Sequence, residues 1–252
     1  MRRLLVPVVA VGVLLALDRH VQAQDQEVRA VIEKAITASG GEAALAKTNL
    51  ARAKAKGAVS IGGMELPFTM EAWTNVPTQS RMEINFDIGG MKIKAVEVYD
   101  NGKGWSAQNN DVKDADKETL DASKLSLYSS RLTSLTPLLT DKSLQIAAIG
   151  EEKVNGKPAF GIKVSSKDQK DVKIYFDKET GLVTKVTRPG VDPINKTAVR
   201  QDEYYSNYKA VEGAQVPMKL QIDLDGNRFI TAEFSEITFV KSFPEGTFSK
   251  PK

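Results

Sequence analysis

The chain has 252 residues, 41% hydrophobic and 27% charged, with a formal net charge of +3, one histidine and no cysteine. A charge so near balance gives no warrant for a nucleic-acid partner, and without cysteine there is neither a disulfide framework nor a lipidated N-terminal cysteine. The histidine, His20, lies in the leader described next, so the rest of the chain lacks the side chains of Ser-His-Asp, Cys-His and zinc chemistry, and no GxxxxGK(S/T) or GxGxxG phosphate loop occurs.

Arg2 and Arg3 lead into an apolar run, Leu4 to Leu17, and Val21 and Ala23 stand at the −3 and −1 positions of a cleavage site. This is the layout of a secretory signal peptide, residues 1–23, cut after Ala23. The run is interrupted by Pro7 and falls short of the about 20 apolar residues that a membrane span needs. Residues 24–252 are therefore expected to form one soluble, exported domain. Losing the leader removes Arg2, Arg3, Arg19 and Asp18, which leaves a formal charge of +1.

Val28, Ile32, Ala35 and Ile36 share one helical face, and Gly40-Gly41 supplies the stop. A short second helical piece around Leu45 follows. Strands then dominate, near Arg52–Ile61, Met64–Trp73, Arg81–Ile88, Met91–Tyr99, Lys103–Gln108, Leu144–Ile149, Ala159–Ser165, Val172–Phe176, Leu182–Thr187, Val199–Tyr208, Met218–Leu224 and Arg228–Val240. Turn signals at Gly62-Gly63, Gly89-Gly90, Asn155-Gly156, Gly181 and Asp225-Gly226 join them as hairpins of one antiparallel meander.

Within the early strands, Met64, Leu66, Phe68 and Met70, then Met82, Ile84 and Phe86, then Met91 and Ile93 fall at every second position. That period places them on one face of a sheet. Four of the chain's six methionines lie in this stretch, and methionine suits surfaces that reshape around varied apolar partners. These nine side chains are the candidate hydrophobic ligand-binding surface. Between the strands, Asp114 to Thr140 carries Leu125, Tyr128, Leu132 and Leu135 at helical spacing, so a helix is expected to bury that stripe against the sheet, either as ordinary core or as a mobile lid over the same face. Pro137 ends this helix or starts another turn.

Two acidic stretches are bland. Asp111, Asp114, Asp116 and Glu118 lack the glycine and spacing of a calcium loop and suit a solvated loop before a helix. Asp225-Gly226 is a hairpin turn. No metal, cofactor or catalytic residue is expected, and no carboxylate pair is singled out.

"EAWTNVP" (Glu71 to Pro77) followed by "VYDNGKGWSAQN" (Val98 to Asn109) resembles the periplasmic lipoprotein carriers, LolA and its outer-membrane lipoprotein-sorting relatives. Trp73, Pro77, Asp100, Gly102 and Trp105 stand in the places of that family's motif. "ASGGEAALA", "VKIYFDKETGLVTKV" and the final "SFPEGTFSKPK" are similar to the same family. The resemblance implies a mainly β fold, a half-open, curved antiparallel sheet around an apolar cavity, covered by the N-terminal and mid-chain helices. It implies a non-catalytic carrier of lipids or lipoprotein acyl chains in outer-membrane biogenesis, working as a monomer with envelope membrane proteins as partners. The alternative it offers is an envelope sensor or protein-interaction module on the same fold. In the carriers proper a basic residue before the proline latches the lid; here Val76 stands there, and Arg81 is the nearest basic replacement.

Overall fold

A computed structural model describes residues 25–109 and 111–252. The leader, and with it the signal-peptide reading, lies outside them. Helix α1 covers residues 25–38 and is followed by α2 (Glu42–Leu45) and a 3-10 turn (Ala46–Asn49). Strands β1 (Leu50–Ile61), β2 (Met64–Asn75), β3 (Gln79–Ile88), β4 (Met91–Asp100), β5 (Lys103–Gln108) and β6 (Asp111–Asp114) come next. Helices α3 (Lys117–Thr133) and α4 (Thr136–Thr140) separate them from β7 (Gln145–Val154), β8 (Lys157–Ser166), β9 (Gln169–Asp177), β10 (Val183–Val191), β11 (Ala198–Val211), β12 (Ala214–Leu224) and β13 (Asn227–Phe239).

All of these strands belong to one antiparallel sheet in the order β6-β5-β4-β3-β2-β1-β13-β12-β11-β10-β9-β8-β7. Two meanders are thus joined back to back through β1 and β13, and the sheet stays open between its edges, β6 and β7. Those edges flank α3 and α4 in the chain. The connection from one edge to the other has to cross the mouth of the curved sheet, which is what lays α3 over its concave face. Asp111–Asp114 pairs with β5, Ala107 opposite Val112, so the stretch read as a solvated loop is an edge strand. It still hands over to the helix as expected: Asp116 caps α3 by accepting from the Thr119 N–H at 2.8 Å. Pro137 opens α4 instead of ending α3.

Bulges at Lys54/Ala55, Ile222/Asp223 and Ala148/Gly150 bend the sheet. Gly57 sets a close approach within the sheet: a Cβ there would lie 2.0 Å from the Thr231 carbonyl oxygen and 2.8 Å from Phe68 Cζ. The Phe68 ring occupies the space a side chain would take, and it is buried without any helix above it.

The main core fills the concave face of β8–β10. Ile162, Val164, Val172, Ile174 and Val186 are fully buried there against Ile32 and Ala35 of α1, Leu132 of α3 and Leu138 of α4. A second apolar layer lies on the convex face of β2–β6, where Trp73, Val96, Val98, Trp105 and Ala107 are covered by Phe243 and Phe248 of the C-terminal segment.

Candidate functional site

The strand registers give the two faces directly. Phe68 stands opposite Phe86, Met70 opposite Ile84 and Ala72 opposite Met82; Phe86 stands opposite Ile93 and Ile88 opposite Met91. Met64 and Leu66 pair with Ile61 and Val59 of β1. All nine stripe residues therefore share the concave face. The alternate positions, Glu65, Thr69, Glu71, Glu83, Lys92 and Lys94, face outward, the division expected of a sheet with one solvated side.

Between this face and α3 lies a cavity of about 1330 Å³, larger than the roughly 300–1,000 Å³ of ordinary small-molecule pockets. Ala72, Thr74, Ser80, Met82, Glu97 and Tyr99 form one wall, Arg188, Gly190 and Gln201 the opposite one, and α3 the roof, where Leu125 and Leu127 stand among Lys117, Glu118, Asp121 and Lys124; Lys167, Lys170 and Lys196 also line the space. A smaller cavity of about 260 Å³ shares Thr74 and Ser130 with it and continues towards Leu45, Tyr205, Tyr208 and Val216. The space thus runs on beneath α3 towards the N-terminal helices.

Of the nine stripe residues, Met82 lines the large cavity itself. Met70, Ile84 and Phe86 pack with Phe68, Ala55, Val59 and Ala232 farther along the same face, with the Phe68 and Phe86 rings edge to face at 6.2 Å. Leu66 and Ile93 are half-buried, and Met64 and Met91 reach the exposed rim. Of the four helix residues, Leu125 reaches the cavity, whereas Tyr128, Leu132 and Leu135 are buried in the main core. The α3–α4 unit is tied by an Arg131–Asp141 ion pair at 2.7 Å. Hydrogen bonds from Ser143, together with Arg131, hold the Asp141 carboxyl down at about 2.

The five motif residues stay outside the cavity. Trp73 and Trp105 lie in the convex layer. Asp100 accepts from Gln79 at 2.9 Å and, with Gly102 in a left-handed turn, shapes the β4–β5 hairpin next to the Pro77 turn. Arg81 is also on the convex side. It donates to Glu83 at 2.9 and 2.5 Å and to the Thr247 carbonyl at 3.5 Å, beside the Trp73 ring. It secures the C-terminal segment, not the lid.

Inside the edge strands, charge enters the concave face at Arg188, Glu203 and Glu97, positions that the apolar stripe does not include. Arg188 donates to Glu203 at 2.7 Å, and Glu203 also accepts from Gln201 at 2.8 Å and from the Tyr205 hydroxyl at 2.5 Å. Both charges are buried, so this satisfied network is a condition for keeping them there. Burial, with the adjacent Glu203 charge, pushes the Tyr205 hydroxyl well above its ordinary pKa; burial does the same to Tyr208, which donates to the Val183 carbonyl.

Glu97 is the third. It faces Met82 on one neighbouring strand and Ser106 on the other. Among the described residues it takes no hydrogen bond or ion pair. Glu97 is exposed to the solvent of the cavity, and the protein surrounding that space raises its pKa by desolvation, with Lys196 of the β10–β11 connection pulling the other way. Glu97 was legible from period two alone, since it continues Met91, Ile93 and Ala95. The Arg188–Glu203 pair had no local signal, because it exists only in the β10–β11 register.

Among the described residues no cluster of three or more His, Cys, Asp or Glu side chains could hold a metal ion, and no helix is long and apolar enough to cross a membrane. No family model and no curated protein matches the sequence. Solved structures do. A LolA superfamily protein from Nitrosomonas europaea superposes with a TM-score of 0.55 at 8% identity, over 88% of this chain and 97% of that one. A DUF1329 family protein from Desulfovibrio piger gives 0.55 at 14% identity, over 88% and 96%. A candidate outer membrane lipoprotein-sorting domain from Vibrio parahaemolyticus gives 0.51 at 12% identity, over 86% and 97%. The fold of this chain is the LolA-like curved antiparallel sheet with covering helices.

Proposed function

We propose that this LolA-like chain is an exported, periplasmic, non-catalytic binding or carrier protein that holds an acyl chain or similar lipid between α3 and the concave sheet. The reading rests on the large cavity, because its apolar floor does not end at its edge. From Ala72 and Met82 the floor continues through Met70, Ile84, Phe68 and Phe86, giving a long track with room for an extended chain. The lipoprotein-sorting description of the Vibrio neighbour supports an acylated cargo, with envelope membrane proteins as donor and acceptor.

Burying a methylene is worth about 0.8 kcal/mol. A chain of about a dozen therefore gains roughly 10 kcal/mol gross before the costs of ordering. In this reading α3 is the lid, Leu125 its contact with the ligand, and residues 1–23 the leader that directs export. The chain works as one domain and as a monomer.

Gentle purification followed by solvent extraction and mass spectrometry tests the proposal. Lipid is expected to co-purify in near-equimolar amount. Preparations under several mild conditions that carry no lipid, and that bind no fluorescent fatty acid, would overturn it.

A further inference from the structure

Two neighbouring hairpins end in the same four residues, Ile61-Gly62-Gly63-Met64 and Ile88-Gly89-Gly90-Met91. In both turns the glycines have positive φ, 57° and 82° in the first and 61° and 90° in the second, the tight two-residue geometry that side chains disfavour. Nothing bulky therefore stands between the tips and their surroundings. Met64 is 63% exposed, Met91 60% and Ile88 38%.

The β2–β3 register, Phe68 opposite Phe86, sets the two tips level at one end of the sheet. With two strand spacings between them they stand about 10 Å apart. Ile194, 62% exposed, lies in the β10–β11 connection at the same end. Four of the five large hydrophobic side chains most exposed among the described residues thus lie at one end of the sheet, with the Asp225-Gly226 hairpin between Ile194 and the other three; the fifth, Ile149, is on edge strand β7.

We propose that this rim docks on a lipid bilayer, with Met64, Ile88, Met91 and Ile194 inserting at the interface. Three observations favour a bilayer over a protein. Two four-residue tips offer far less than the roughly 800 Å² per partner of a stable protein interface, whereas shallow insertion of a few aliphatic side chains needs no shape complementarity and gives weak, reversible binding. Neither tip carries a charge; of the flanking charges, Asp87 stands opposite Lys92 across the second hairpin, and Glu65 accepts from the Ser60 hydroxyl across the first. The tips are also continuous with the concave face: Met64, Leu66, Phe68, Met70 and Ala72 on β2 form an unbroken apolar line from rim to cavity wall. A chain leaving the bilayer at the rim would reach the cavity without crossing a polar barrier on that strand.

The inference goes beyond the cavity reading and does not depend on it. Flotation of the protein with phosphatidylcholine vesicles, and with vesicles that also contain phosphatidylglycerol, tests it. The wild type is expected to float with both, with little effect of salt, and the Met64→Ser/Met91→Ser double variant to partition roughly a hundredfold less. Its melting curve should match the parent's, since both side chains are already exposed. A wild type that does not float, a double variant that floats equally well, or binding that needs phosphatidylglycerol and vanishes in salt would each overturn the proposal. So would a soluble protein complex that is lost in the double variant without any flotation. A fluorescent fatty-acid titration without vesicles reads the cavity separately: a parent that floats but binds no probe refutes the cavity reading and leaves the rim standing.

Discussion

The concave face runs unbroken across the sheet, yet its two halves have opposite fates. On β8–β10 the inward side chains are mostly valine and isoleucine, and α1, α3 and α4 bury them completely. On β2–β4 the inward positions are rich in methionine and phenylalanine, and apart from Phe68 and Tyr99 they remain half-buried or exposed. Branched side chains have few rotamers and pack one way, while methionine rearranges cheaply. The difference teaches that alternation fixes which face turns inward and no more. Whether that face becomes a core or a lining depends on where the helices lie, and the residue types follow that division.

The seam between the halves should give the largest effect. Arg188→Met leaves Glu203 buried without its partner, an expected loss of about 3–5 kcal/mol. The double variant Arg188→Met/Glu203→Leu should recover most of it, because two matched apolar groups replace a desolvated pair. Denaturant melts of the three proteins check this; a double variant as unstable as the single one would mean that the pair is not what holds the seam. Next comes the closed half. Ile174→Ala empties a fully packed site and should cost about 2–5 kcal/mol, whereas Ile84→Ala on the open half should cost about 1 kcal/mol, since the side chain is already partly solvated. Equal losses at the two positions would erase the contrast between core and lining.

That contrast was only half visible in the sequence. Period two revealed the face, and the helical spacing of Leu125, Tyr128, Leu132 and Leu135 revealed the covering helix. The β1–β13 pairing that closes the two meanders into one sheet left no local trace, so nothing showed that α3 would sit on β9 and β10 more than on the methionine strands. For this reason Tyr128, Leu132 and Leu135 pack in the core and Leu125 alone of the four meets the cavity. The tryptophan motif was visible as a motif, but its convex location depends on Phe243 and Phe248 returning from the far end of the chain, a long-range contact that no periodicity encodes. β6 escaped notice because a four-residue edge strand rich in aspartate and lysine resembles a loop.

Met82→Glu sharpens the comparison from the ligand's side. Met82 lines the cavity and is half-buried, so a carboxylate there can keep water. Stability should fall by about 1 kcal/mol or less, while binding of a fluorescent fatty acid should weaken by at least about tenfold through the loss of apolar contact and the added repulsion. A collapsed melt for the variant, with a parent that never binds the probe, would instead make the open half a second closed core.

Glu97 should give the smallest effect and the most specific one. Its carboxyl sits among Met82, Ser106 and Tyr99 with no hydrogen bond, and enclosure holds its pKa above the ordinary 4.5. A raised acid pKa means that the folded protein takes up a proton at a pH where the unfolded chain has not yet done so. The charge therefore costs stability in full above the raised value, and the cost disappears as pH falls through that value towards the ordinary one. Glu97→Gln keeps the shape and removes the charge. The variant should be the more stable at neutral pH, by less than about 1 kcal/mol because cavity water screens the carboxylate, and the two melting curves should converge by about pH 4. Melting midpoints from about pH 4 to about pH 8 decide the matter. A variant less stable than the parent at neutral pH would mean that Lys196, across the cavity mouth, holds Glu97 as a true ion pair and that the β10–β11 connection is fastened shut by it.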